Sequence, residues 1–184
     1  MDIRDEKLAN MLVNYSLAVK PGERVLLRGG VAAEPLLKEV YKKILEAGGH
    51  VFLMPDFAWE PEYLFKLGNW EQIEYVHKPQ FELFDTYDCM LRIVADEDTK
   101  ALSSVDADKM TRWTRARQPI MQTYMSRAAK GELRWAVTHY PTNGYAQDAD
   151  MSLDEYRDFV YKATMPDLDD PIGYWQGVSA RQER

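Results

Sequence analysis

The sequence predicts an α/β fold in which an open, mostly parallel sheet carries helices on both faces. Segment 24–54 contains, in order, an apolar run, a glycine turn, apolar residues at helical spacing, a second glycine turn and a second apolar run. This order is typical of a right-handed βαβ crossover, which requires parallel strands covered by helices. Further apolar runs alternate with helical stretches over the rest of the chain, as expected for a Rossmann-like sheet.

The first third of the chain is expected to alternate helices and strands. Leu8, Met11, Leu12 and Tyr15 share one helical face before the turn at 20–22. The glycine pairs at 29–30 and 48–49 then separate the following elements. The expected elements are an opening helix around 8–15, a strand at 25–27, a helix at 37–45 and a strand at 51–54.

The remaining elements are predicted from apolar runs, prolines and caps. Pro119 is expected to kink or split a long helix that Asp106 caps and Gly131 ends. Ser152 and Glu155 have the spacing of a capping box. The predicted helices are 60–68, 70–84, a short one near 100–105, the capped helix from 106 and a helix to 163, and the predicted strands are 89–95 and 133–138.

The end of the chain is predicted to be a helical stripe with no further element to cover it. Ile172, Trp175 and Val178 recur three residues apart, and this stripe, with an exposed Trp175, continues to Arg184. A missing second domain would explain such an ending, and so would a frayed terminal helix.

Composition bounds the class of protein. The 184 residues are 46% hydrophobic, which supplies one globular core. The net charge of -7 argues against a general nucleic-acid or anionic-membrane surface, because both need excess Lys and Arg. No apolar stretch approaches the ~20 residues of a membrane span, and the charged start is unlike a signal peptide, so the cytoplasm is the expected location. Cys89 is the only cysteine and is expected to be a buried apolar residue.

The carboxyl ends of the predicted strands define a candidate crevice, since ligands of open parallel sheets collect there. Five residues follow these strands and could bind a cation, a substrate amine or an anion. The alternative is that the acidic residues cap the following helices. The candidates are Arg28, Asp56, Asp96, Asp98 and His139.

Known site motifs do not extend this assignment. The turn Gly29-Gly30-Val31-Ala32-Ala33 matches neither common phosphate-binding pattern. The histidines at 50, 77 and 139 have no paired metal-binding spacing, so they do not by themselves indicate a metal site. A basic stretch at 109–134 could bind nucleic acid, or it could be the solvated side of a helix whose Trp113 and Tyr124 face the core.

Several segments, in this order, resemble the amino-terminal domain of the thermophilic aminopeptidase family, which includes aminopeptidases T and S and PepS. Each segment alone is weakly specific, but their order and spacing are distinctive. They span nearly the whole chain. The matching segments are 15–25, 32–36, 47–51, 134–137, 140–142, 145–147, 151–156 and 169–175.

The resemblance implies that residues 1–184 are the amino-terminal α/β domain of a longer two-domain enzyme. Members of this family are cytoplasmic, dimeric hydrolases that remove amino-terminal residues from peptides with two divalent metals, Zn or Co. Their metal ligands and catalytic tyrosine lie in the second domain, so neither a catalytic nor a metal residue carries over. The chain alone is therefore expected to be inactive, and to help shape the cleft and hold the partner domain or subunit.

Two other hypotheses stay open. One is a free-standing Rossmann-like module that binds an anionic small molecule at Arg28-Gly29-Gly30. The other is a noncatalytic interaction protein that uses Trp175 and the terminal helix.

Overall fold

A computed structural model describes residues 2–165 and 167–182 and confirms the α/β class with an open parallel sheet. The strand order is β2-β1-β3-β4, and every pairing is parallel. The strands are β1 (Arg24–Gly30), β2 (His50–Asp56), β3 (Cys89–Val94) and β4 (Arg134–His139).

Helices precede, connect and follow these strands. In the first half they are α1 (Ile3–Met11), α2 (Glu34–Glu46), α3 (Trp59–Leu67), α4 (Trp70–Glu74) and α5 (Lys78–Thr86). In the second half they are α6 (Ala107–Ala116), α7 (Gln118–Ala129), α8 (Asn143–Asp148), α9 (Leu153–Thr164) and α10 (Pro171–Gln182). A π-helical turn (Leu12–Ser16) follows α1, and a 3₁₀ turn (Val31–Ala33) precedes α2. None of these described helices is long and apolar enough to cross a membrane.

The main core lies on one face of the sheet. Side chains such as Val25, Leu27 and Leu91 alternate inward along β1 and β3. They pack against α1, α2 and α9, from which Leu8, Leu36 and Tyr161 are buried. The opposite face carries a smaller buried cluster, in which Leu26, Met90 and Leu133 pack against residues of α5 and α7.

Several predicted elements differ in the structure. Gly29 and Gly30 belong to β1 and not to the turn after it. Segment 100–105 forms turns, so the predicted short helix is wrong, and α8 was missed. The predicted long helix is split near Pro119, as expected: α6 ends at Ala116, and α7 begins at Gln118 with Pro119 in its first turn. The capping box at Ser152 and Glu155 is present at the start of α9.

The prediction of an exposed Trp175 is wrong. Its side chain is half-buried against the main core, and its Nε1 donates a hydrogen bond of 2.8 Å to the carbonyl oxygen of Thr164. Because α10 packs against α1, the stripe has an element to cover it. The predicted continuation to Arg184 lies outside the described residues.

The edge beside β2 remains apolar and uncovered within the described residues. Tyr41 and Leu45 are exposed on α2. Phe52 and Leu53 of β2 are exposed as well. An open concavity of about 900 Å³ lies between α2 and this strand, lined by residues that include Leu37, Tyr41 and Leu53.

Cys89 is fully buried, as predicted, but its neighbours are charged. Its Sγ lies 3.1 Å from Nη2 of Arg134, which also pairs with Glu23. The Nε of Arg134 donates a 2.7 Å hydrogen bond to the carbonyl oxygen of Leu17, so this arginine connects β4 to the segment that precedes β1.

We expect the Cys89 thiol to react slowly with alkylating agents in the folded protein. Burial raises the pKa of Cys89 from 9.0 to about 11, so its thiolate fraction near pH 8 falls about 100-fold. Mass-spectrometric timing of iodoacetamide addition, with and without urea, measures this protection. Equal rates in the two conditions would contradict it.

Candidate functional site

A cavity of about 240 Å³ lies at the carboxyl end of the sheet, between β1 and β3. The chain leaves these two strands in opposite directions: β1 connects to β2 through α2 on the main-core face, and β3 connects to β4 through α6 and α7, of which α7 packs on the other face. Such a topological switch point is where open α/β sheets bind ligands. The cavity is therefore the candidate functional site.

Four of the five predicted site residues line this cavity. Arg28 and Asp56 come from the ends of β1 and β2, and Asp96 and Asp98 follow β3. The Nε of Arg28 donates a 2.6 Å hydrogen bond to Oδ1 of Asp56, forming a partly exposed ion pair. The alternation of strand residues explains part of the grouping, since Arg28 and Asp56 occupy positions on one sheet face. Asp96 joins them from the loop that follows β3.

His139 does not line the cavity. It is exposed at the end of the edge strand β4, and its ring centroid lies 5.5 Å from that of Tyr145. The hydroxyl of Tyr145 donates a 2.8 Å bond to Oδ2 of Asp96 and accepts a 3.2 Å bond from the Asp96 amide. Burial raises the pKa of Tyr145 to about 12, so this hydroxyl stays protonated and holds Asp96 in place.

Arg92 is the residue that sequence reasoning missed. It is exposed, lines the cavity and lies directly beside Arg28 in the register of β1 and β3. Among the described residues, no carboxylate forms an ion pair with Arg92. The signal was available, because a charged residue interrupts the otherwise apolar run Met90-Leu91-Arg92-Ile93-Val94.

The glycines of β1 have a packing role. A Cβ on Gly30 would lie 3.0 Å from Cβ of Ala95, and one on Gly29 would lie 3.0 Å from the Leu37 side chain. Glu34 and Pro35 begin α2, placing a carboxylate at the helix terminus and removing one backbone donor. These features do not form a phosphate cradle.

A second cavity of about 240 Å³ adjoins the first and shares Arg28 and Arg92 with it. Its other walls are mainly apolar and come from β1, β3, β4, α5 and α7. These walls include Phe84, Met121, Tyr124, Trp135 and Val137. Burial raises the pKa of Tyr124 to about 12, which keeps this side chain neutral.

The rim of the first cavity also carries aromatic residues. Phe57 lines the cavity and lies 5.6 Å from the ring of Trp59, which lies 5.8 Å from the ring of Tyr63. All three rings are exposed. They form a short aromatic row at the start of α3, next to the crevice.

The donor set does not fit a metal pair. Within residues 2–165 and 167–182, no group of three or more His, Cys, Asp and Glu side chains could hold a metal ion. Asp56 and Asp96 are already hydrogen-bonded to Arg28 and Tyr145. No catalytic step through a metal is assigned to these residues.

The basic stretch at 109–134 is largely occupied by structural contacts. Lys109 donates to the carbonyl oxygens of Phe65 and Gly68, Arg117 donates to those of Ile73 and Tyr75, and Arg127 donates to those of Phe84 and Glu132. Apart from the local bond to Glu132, these bonds connect the α6–α7 region to the helices between β2 and β3 and to the residues that end them.

The all-parallel sheet, the helices on its two faces and the switch-point crevice define an α/β module of the Rossmann-like class. The model of the thermophilic metalloprotease family M29 matches residues 2–184, so this chain belongs to that family. The predicted resemblance is thereby confirmed.

Two matched proteins are each about twice as long as this chain. Aminopeptidase 2 of Geobacillus stearothermophilus is 24% identical over 201 residues, which cover 97% of this chain and 46% of that protein. The structure of wild-type AmpT from Thermus thermophilus superposes with a TM-score of 0.73 at 16% identity, over 95% of this chain and 45% of that one. The chain thus spans about half the length of both.

Proposed function

We propose that this chain is the non-catalytic amino-terminal α/β domain of a metal-dependent aminopeptidase. The family match carries this proposal, since the family is one of metalloproteases and its matched relative is named an aminopeptidase. Two further observations support the proposal that the catalytic residues lie in another part of the enzyme. The chain corresponds to 46% of that relative, and its described residues lack a cluster of metal-ligating side chains.

The whole enzyme is proposed to release amino-terminal residues such as leucine from peptides, with two divalent metals, Zn or Co, bound outside this chain. Dinuclear hydrolysis needs ions ~3.5 to 4 Å apart with several first-shell ligands each. The role proposed for residues 1–184 is to form one wall of the substrate cleft and to support the partner domain.

The enzyme is also proposed to be a cytoplasmic homodimer that binds neither nucleic acid nor membranes. The net charge of -7 and the structural engagement of Lys109, Arg117 and Arg127 support the absence of a nucleic-acid surface. The exposed apolar patch at Tyr41, Leu45 and Leu53 is a surface on which another domain or subunit could pack.

We expect the 184-residue polypeptide to release no leucine from a leucyl peptide above the uncatalysed rate, with or without added Zn or Co. A longer protein, expressed from the reading frame continued past Arg184, is expected to be active. Chelation should abolish that activity, and restored metal should recover it. Amino-acid analysis of timed digests measures both. Peptide cleavage by the 184-residue chain with two tightly bound ions would contradict the proposal.

The second candidate is a free-standing module that binds an anionic small molecule at Arg28-Gly29-Gly30. Arg92 beside Arg28 favours it, because two neighbouring guanidinium groups suit a carboxylate or phosphate. The acid and proline that begin α2 weigh against a phosphate. Saturable binding of inorganic phosphate that Arg28→Ala abolishes would favour this module over the aminopeptidase domain.

A further inference from the structure

The switch-point crevice carries both signs of charge, and only part of each is neutralised within the chain. Arg28 forms an ion pair with Asp56, and the carboxylate of Asp96 accepts a hydrogen bond from the hydroxyl of Tyr145. Arg92 has no ion-pair partner among residues 2–165 and 167–182. The remaining charged residues that line the crevice, Glu60, Glu97 and Asp98, also lack an ion-pair partner within the same residues.

The arrangement of Arg28 and Arg92 favours an added carboxylate. The two residues are register partners on strands about 4.8 Å apart, so their side chains leave the same sheet face. Like charges in this position repel each other, and Asp56 compensates only one of them. A ligand carboxylate bound between the guanidinium groups would relieve the repulsion and gain charge-assisted hydrogen bonds.

A simple anion would leave the carboxylates that line the rest of the crevice without a cationic partner. Five carboxylates line it against two arginines, so the surroundings are acidic and repel a dianion. A ligand ammonium group would be attracted to Glu60, Glu97 and Asp98. The combination fits a zwitterion that carries a carboxylate and an ammonium close together.

The shape of the site limits the size of the ligand and the nature of its side chain. A cavity of about 240 Å³ is smaller than the ~300 Å³ at which pockets for drug-sized ligands begin. The adjoining apolar cavity has a similar volume and shares the arginine pair. A side chain on the carbon that carries the ammonium group can therefore enter this second cavity and contact its apolar wall, which includes Met121, Trp135 and Val137.

We propose that this crevice binds a free α-amino acid with an apolar side chain. The α-carboxylate lies between Arg28 and Arg92, the α-ammonium faces Glu97 and Asp98, and the side chain enters the cavity beside Trp135. Under the function proposed above, such a ligand is the product that the enzyme releases, so its binding would report product concentration to this domain. The binding itself does not depend on peptidase activity.

Titration calorimetry of the chain with L-leucine tests the proposal. Saturable binding is expected, with at least about tenfold weaker affinity for leucinamide, which lacks the carboxylate, and for N-acetyl-leucine, which lacks the ammonium group. L-Glutamate should also bind more weakly, because its side chain is charged. Inorganic phosphate is the probe for a simple anion site.

Variants locate the site. Arg92→Gln is expected to weaken leucine binding at least about tenfold, and Glu97→Gln is expected to weaken it to a smaller extent. The matched control is Arg115→Gln, because Arg115 is exposed on α6 and lines neither cavity. It should leave the affinity unchanged. Thermal midpoints of all three variants establish that they fold.

The outcomes separate this proposal from its rivals. The proposal is overturned if leucine shows no saturable binding up to about 10 mM. It is also overturned if Arg92→Gln binds leucine as tightly as the unchanged chain, or if the unchanged chain binds leucinamide as tightly as leucine. Phosphate binding without leucine binding overturns it in favour of the anion module. Leucine binding by this chain combined with an inactive longer protein supports this inference while contradicting the aminopeptidase proposal.

Discussion

Replacing Tyr161 with alanine is expected to lower the free energy of unfolding by about 3 to 5 kcal/mol. Tyr161 is among the largest fully buried side chains, and its loss leaves a cavity between α1 and α9. Its hydroxyl also donates a hydrogen bond to Oδ1 of buried Asp5. Burial raises the pKa of Asp5, and without Tyr161 this carboxyl loses its side-chain donor. Urea unfolding followed by circular dichroism measures the change.

Two matched variants divide this effect. Tyr161→Phe retains the ring and removes only the hydroxyl, so it should cost about 1 to 3 kcal/mol. Tyr63→Ala removes an exposed tyrosine from α3 and should change stability by no more than about 0.5 kcal/mol. If Tyr161→Phe unfolds at the same urea concentration as the unchanged chain, the hydrogen bond to Asp5 contributes no stability.

Replacing Gly144 with alanine is expected to cost about 1 to 3 kcal/mol and to disturb the crevice. A Cβ at this position would lie 2.4 Å from the carbonyl oxygen of Glu97, so the backbone of the turn after β3 must move. That turn is held to α8 by the hydroxyl of Thr142, which donates to the carbonyl oxygen of Asp96. Leucine affinity should therefore fall together with stability.

Gly177→Ala is the control for this substitution. Among the described residues, no heavy atom other than those of its chain neighbours and of the surrounding helix backbone lies within 4 Å of the added Cβ, and Gly177 is inside α10. Alanine favours a helix over glycine by about 0.5 to 1 kcal/mol, so this variant should be more stable than the unchanged chain. Urea midpoints and leucine titrations of both variants measure the contrast. Equal stability of the two variants would show that the close contact at Gly144 costs nothing.

The sequence predicted the fold through features that act locally. Apolar periodicity, the Pro119 break and the capping box at Ser152 each depend on neighbouring residues, and each is present in the structure. The short helix predicted near 100–105 is wrong and helix α8 was missed, because short segments carry little periodic signal. Trp175 was judged exposed because its partner, the carbonyl oxygen of Thr164, belongs to a separate helix.

Most of the candidate site is predictable from the rule that open parallel sheets bind ligands at the carboxyl ends of their strands. That rule brings Arg28, Asp56, Asp96 and Asp98 together, and the structure has them around one cavity. It also selected His139, which lies at the edge strand and beyond the switch point. Arg92 was missed because it lies inside a strand, and only the β1–β3 register brings it beside Arg28.

The all-parallel pairing of the sheet has a consequence for how the chain folds. Paired residues of β1 and β2 are 26 positions apart, those of β3 and β4 are 45 apart, and those of β1 and β3 are 64 apart. No strand pair can form as a local hairpin, so loop-closure entropy opposes each pairing before burial compensates for it. Refolding should consequently take milliseconds to seconds, and during that time the apolar β2 edge is open to intermolecular association.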